Sequence, residues 1–248
     1  MHKVLIVGAA SAIAEATARC FAERGASLHL LGRNTARLEA IAADLRVRGA
    51  EHVTLSVLDV DDLAAHAAAL DAAERALDGF DVALIAHGTL PEQAACSAST
   101  ELSVRELHTN AVATIALMNA LAQRFERRSE GTLAVISSVA GDRGRQSNYL
   151  YGAAKAAVAT FAAGLRNRLY LQTGGRVHVL TVKPGFVDTP MTAQFPKGPL
   201  WTQPAKVARA IHGAILERRN VLYVPGFWWA VMAIIRAVPE VVFKRLKL

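Results

Sequence analysis

Short, mainly apolar runs alternate along the chain with longer stretches whose apolar residues recur at helical spacing. Residues 4–7, 28–31, 53–57, 82–86, 132–137, 177–182 and 221–224 read as seven strands. Residues 12–24, 34–48, 61–77, 101–127, 149–171 and 204–217 read as the helices between them. Asp61 and Asp62 open the third helix, where negative charge suits the N-terminal dipole. Strands that are apolar along their whole length belong to sheets covered on both faces, and strand-helix alternation makes such a sheet parallel. Right-handed crossovers then predict a doubly wound sheet. No composition break marks a second domain. The chain is expected to be one α/β domain over 1–248, with 225–248 an apolar and basic C-terminal tail.

Composition narrows the field. At 248 residues the chain can bury a full core, and 52% apolar against 20% charged residues argues against disorder. The net charge of +7 permits an anionic ligand or membrane surface, but no basic-aromatic pattern points to nucleic acid. Cys20 and Cys96 lie far apart without metal-ligand spacing, so they read as free thiols in a reducing, cytoplasmic setting, and no metal is expected. The N-terminal MHKVLIVGAA enters a strand at once and does not read as a signal peptide.

Candidate chemistry sits at the strand ends. The first strand runs into Gly8, Ser11, Ala12 and Ile13 ahead of a helix, the position of a pyrophosphate turn in a Rossmann-type fold. Gly8 keeps the glycine, whereas the Ala12 methyl narrows the gap to a phosphate; the segment alone is equally readable as a tight turn without a ligand. After the second strand, Gly32 stands where an acid would hold ribose hydroxyls, and Arg33 follows it. This favours NADP(H) over NAD(H). Asp59 and Val60, after the third strand, are placed to meet an adenine edge.

Ser138 follows the fifth strand, and Tyr151 and Lys155 lie one helical turn apart on one face. A tyrosine titrates near pH ~10, and a neighbouring cation brings it toward neutrality. Ser138 can then hold a carbonyl oxygen while Tyr151 protonates it and hydride arrives from nicotinamide. Asn110, in the preceding long helix, can hold a water that relays the proton to Lys155.

These residues carry a resemblance to the short-chain dehydrogenase/reductase family over nearly the whole chain. Asn110, Ser138, Tyr151 and Lys155 match its catalytic tetrad. Pro184, Gly185, Val187 and Thr189 match its Pro-Gly segment, in which backbone and threonine meet the cofactor. Ala86-His87-Gly88 stands where the family has Asn-Ala-Gly, so Ala86 and Gly88 are expected at the cofactor. The resemblance implies a homodimer or homotetramer. Three stretches, AHGTL, SSVAGDRGRQSNYLYGAAKA and YVPGFWWAVMAIIRAVPEVVFKRL, also resemble reductases of a decaprenylphosphoryl 2-keto-pentose, which serve arabinofuranose donor synthesis. That narrower likeness implies a lipid-linked keto-sugar substrate. A soluble ketone, a 3-ketoacyl thioester or a steroid is the alternative, and a non-catalytic nucleotide sensor is the alternative of another class.

Arg143 and Arg145 could meet an anionic substrate group, or form an exposed basic loop. Residues 227–235 are too few to span a membrane. With Arg236, Lys244, Arg245 and Lys247 around them, they suit an interfacial helix at the inner face of the membrane or an oligomer surface. The lipid-facing side would carry Trp228 or Trp229 with Met232 and Ile235.

Overall fold

The computed structural model describes residues 2–246; Lys247 of the basic tail lies outside them. Seven parallel strands form one sheet in the order β3-β2-β1-β4-β5-β6-β7. They are β1 (Lys3–Val7), β2 (Ser27–Gly32), β3 (His52–Val57), β4 (Val82–Ile85), β5 (Gly131–Ile136), β6 (Val177–Pro184) and β7 (Val221–Val224).

Alternate residues of each strand feed opposite faces. Val4 and Ile6 of β1 join a core with α1 (Ala12–Ala22), α2 (Thr35–Val47) and α8 (Pro204–Leu216). Leu5 and Val7 join another with α3 (Ala65–Leu77), α6 (Ala113–Arg128) and α7 (Tyr149–Thr173). This is why the central strands β1 and β4 carry no polar alternation: each side chain, up or down, leaves water at about 1.5–3 kcal/mol for a large aliphatic residue, whereas the edge strand β3, HVTLSV, alternates and is only partly buried.

Four elements depart from the sequence pattern. The helix expected over 61–77 begins at Ala65, because Asp62 Oδ1 takes the N–H groups of Ala64 and Ala65 at 3.1 and 3.3 Å. Asp61 turns away to Thr109 Oγ1 at 2.8 Å, so only Asp62 serves the helix start. The helix expected over 101–127 is divided into α5 (Thr100–Leu107), a π-turn at His108–Val112 and α6. Short helices α4 (Gln93–Ala98) and α10 (Glu240–Phe243) are additions, the latter following α9 (Trp228–Ala237).

The C-terminal tail is folded onto the domain. Trp228 is 4% exposed and Met232 3%, and with Val139 they form a small third core joined by Ile235. The face expected to meet lipid is therefore turned inward; the outward side carries Trp229, 61% exposed, and Ile234, 68% exposed. Among the described residues, no helix is long and apolar enough to cross a membrane.

Candidate active site

A cleft opens at the carboxyl end of the sheet, where β1 has β2 on one side and β4 on the other. Gly8 leaves β1 with φ +76°, and a Cβ there would stand 2.5 Å from the His87 backbone nitrogen. Glycine alone makes that turn without strain. Ser11 is the N-cap of α1, yet its side chain caps nothing. Its hydroxyl and the first-turn N–H groups are thus left for an anionic ligand, the electrostatic need of a pyrophosphate. Ala12 and Ile13 complete this wall.

At the far end, Gly32, Arg33 and Asn34 line the cleft. The Arg33 guanidinium is mostly exposed, 4.0 Å from Asp59. So long a pair in water contributes little, which leaves the charge available. Asp59 itself is not part of the lining, which Leu58 and Val60 supply. Its Oδ1 accepts the Asp61 N–H at 3.1 Å and closes the turn after β3.

Ser138 and Tyr151 are brought together by glycine packing. The 3₁₀ turn Val139–Gly141 presses on α7 so closely that a Cβ on Gly152 would stand 2.8 Å from the Ala140 carbonyl oxygen. Ser138 and Tyr151 then share one pocket with Lys155, Ala86, Gly88, Pro184, Gly185, Val187 and Thr189. Lys155 is 3% exposed; its Nζ donates to the Ile136 carbonyl at 3.2 Å and lies 5.6 Å from the Tyr151 ring centroid. Burial pulls Lys155 down to about 8. Burial also pushes Tyr151 up to about 12, with the Ser138 hydroxyl opposing the shift. The expected lowering of the phenol by Lys155 is outweighed by burial in this arrangement. Tyr151 accordingly keeps its proton at neutral pH, as a donor must.

Asn110 sits in the π-turn, 1% exposed, behind the pocket wall. Its Nδ2 donates to Thr89 Oγ1 at 2.7 Å and to the Glu106 carbonyl at 3.1 Å, and its Oδ1 accepts the Thr89 N–H at 3.0 Å. A Cβ on Gly88 would lie 2.9 Å from Asn110 Oδ1 and 3.3 Å from Lys155 Nζ. Both side chains therefore border the space that a side chain at residue 88 would fill, which glycine leaves open. His87 occupies the neighbouring space, its Nε2 3.0 Å from Thr114 Oγ1. Burial, helped by the Lys155 charge, lowers His87 to about 4 and keeps it neutral.

The two loop arginines separate. Arg143 is not in the pocket. Its Nη1 donates to the carbonyls of Ile235 and Val238, both at 2.6 Å, Nη2 pairs with Glu240 at 2.9 Å, and the guanidinium lies 3.6 Å over the Phe243 ring. It is a strap for the tail, not a substrate ligand. Arg145 does line the pocket.

Sequence reasoning passed over Asn34, Leu58, Thr89, Thr109, Phe186, Met191 and Thr192, which also line the cleft or pocket. Asn34 carried a legible signal, a polar residue straight after a strand, and it caps α2 through the Arg37 N–H at 2.9 Å. Thr109 is placed by the π-turn, Met191 and Thr192 by a 3₁₀ turn at Pro190–Thr192, and Leu58, Thr89 and Phe186 by the segments that follow strands.

A doubly wound sheet with a seryl-tyrosyl-lysyl pocket beside an anion-seeking helix start defines a nucleotide-dependent oxidoreductase. The chain belongs to the short chain dehydrogenase family, whose profile matches residues 2–199. An uncharacterized oxidoreductase of Mycobacterium tuberculosis is 35% identical over 243 residues, 98% of this chain and 96% of that one. One from Streptomyces coelicolor is 36% identical over 248 residues, 99% of this chain and 96% of that one. Among solved structures, a single-substitution variant of the actinorhodin polyketide ketoreductase with NADPH superposes with a TM-score of 0.80 at 23% identity, covering 92% of this chain and 97% of that one. A 3-oxoacyl-[acyl-carrier protein] reductase from Brucella melitensis gives 0.77 at 25% identity, covering 90% and 89%.

Proposed function

We propose that the protein is an NADPH-dependent carbonyl reductase. The observation that carries this reading is the convergence of Ser138, Tyr151 and Lys155 on one pocket that adjoins the Gly8–Arg33 cleft. When bound there, a reduced nicotinamide supplies the hydride. Ser138 holds the ketone oxygen by donating a hydrogen bond. Tyr151 gives that oxygen its proton, and the Lys155 ammonium steadies the phenolate left behind. Asn110 holds Thr89 by two hydrogen bonds and so fixes the rear of the site. Ser11, the first turn of α1 and Arg33 are the groups for cofactor phosphates, with Thr189 and the Val187 backbone at the nicotinamide end.

The finer substrate reading is a polyprenylphosphoryl 2-keto-pentose. It rests on the similarity of three sequence stretches, two of which, AHGTL and the 137–156 segment, lie at this pocket. A soluble ketoacyl substrate is the second reading, favoured by the names of the two structural neighbours. The same proposal places the protein as a homodimer or homotetramer at the cytoplasmic side of a membrane, with the outward Trp229–Ile234 strip and the basic Lys244 and Arg245 as the peripheral contact.

A cofactor titration tests the phosphate assignment. NADPH is expected to bind more tightly than NADH, and Arg33→Ala to weaken NADPH by about 1.5–3 kcal/mol while hardly moving NADH. Equal affinities in the unmutated protein would contradict it.

A further inference from the structure

Beyond Tyr151 the pocket continues into a second chamber. Leu90, Asn148, Phe186, Thr192 and Arg145 belong to both walls, so the two spaces communicate past the Arg145 side chain. The far chamber is walled by Pro91, Phe195, Pro196 and Trp201. Phe186 stacks on Trp201 with ring centroids 5.3 Å apart, and both Phe186 and Phe195 keep more than a third of their surface exposed. Aromatic surface held open against a reactive pocket is apolar area waiting for an apolar ligand.

Arg145 is the polar feature of this passage. It is half-buried, and its guanidinium has no hydrogen-bond acceptor or carboxylate partner among the described residues. The nearby acids are otherwise engaged: Asp142 is taken by Lys183 at 2.5 Å and Tyr223 at 2.7 Å, and Asp188 by Lys197 at 3.0 Å. Glu92, at the chamber rim, makes no ion pair with it. Lys197, 4.0 Å over the Trp201 ring, is the other cation at this end, but it is neutralised by Asp188. A partly desolvated guanidinium without a counter-charge is costly, and an incoming anion offsets that cost.

We infer that the substrate is a ketone that carries an anionic group and, beyond it, an apolar arm, with Arg145 receiving the anion and the Phe186–Phe195–Trp201 chamber the arm. The inference rests on the reductase reading for the ketone, and goes further by fixing the order carbonyl, anion, apolar chain along the passage. A phosphate ester of a lipid and a carboxylate on an alkyl chain both have this chemistry.

Trp201 provides a readout that needs neither cofactor nor turnover. Tryptophan fluorescence of the full chain is titrated with octyl phosphate, octanoate, octanol and inorganic phosphate. At least one of the two alkyl anions should bind about tenfold or more tighter than octanol, and also tighter than inorganic phosphate. Which of them wins identifies the anion. Arg145→Gln should bring that anion down to the octanol level, Lys197→Gln should leave the preference in place, and Trp201→Phe should remove the fluorescence change. The side chain of Arg145 holds no other part of the fold, so its variant is expected to fold. Octanol binding as tightly as both anions, inorganic phosphate binding as tightly as either, or a preference that survives in Arg145→Gln or follows Lys197 would overturn the assignment. A protein that passes this titration yet reduces no ketone would fail the reductase reading alone.

Discussion

At the scale of single residues, the site works through two opposite effects of burial. The phenol of Tyr151 is harder to ionise and the ammonium of Lys155 easier to discharge, because both charged forms lose water. Lys155 is a cation below about pH 8 and neutral above it, while Tyr151 stays protonated well beyond that point. Reduction leaves a phenolate that needs the cation, so kcat/KM for ketone reduction should be level below about pH 8 and fall above it. Lys155→Met should lower the rate throughout and abolish the alkaline limb. An unchanged limb in that variant would show that another group sets it. These residues were legible because their spacing is local: Tyr151 and Lys155 share a helix face, and Ser138 ends a strand. The lysine's actual partner was not legible, since the Ile136 carbonyl reaches it only through the packing of β5 against α7.

At the scale of elements, the sequence pattern located every strand and most helices, because each carries its own periodicity. It missed the π-turn at His108–Val112, since one extra residue in a single turn is too local to show in the apolar pattern; Asn110 within it is held to Thr89, 21 positions away in sequence. It misjudged the tail for a similar reason. The hydrogen bonds that strap residues 235–240 come from Arg143, more than 90 positions away in sequence. The tail also fills a void that only a glycine leaves: the Trp228 indole occupies the space where a Cβ of Gly185 would be, and it packs edge-on against Phe186 at 5.3 Å. Trp228→Ala should therefore cost about 3–5 kcal/mol of stability in urea unfolding and loosen the Pro184–Thr189 wall of the pocket. A loss under about 1 kcal/mol would mean that the tail is not part of the folded core.

At the scale of the whole molecule, one face of the tail remains to be accounted for. Trp229, Ile234, Val241 and Val242 are exposed beside Lys244 and Arg245. The chain should co-sediment with anionic vesicles, less so at high salt, and Trp229→Glu with Ile234→Glu should abolish this without unfolding the protein, since neither side chain is buried. If the protein ignores vesicles and the double change instead splits a dimer or tetramer, the strip is a subunit face.

The central claim is that Tyr151 protonates a ketone oxygen in this pocket, and its most direct test is the loss of NADPH absorbance with a ketone substrate in the unmutated protein and in Tyr151→Phe. The phenylalanine ring keeps the helix packing, so NADPH affinity should hardly change while turnover falls by about a hundredfold or more. Near-normal turnover in Tyr151→Phe, or tight NADPH binding with no ketone reduced by the unmutated protein, would contradict the account.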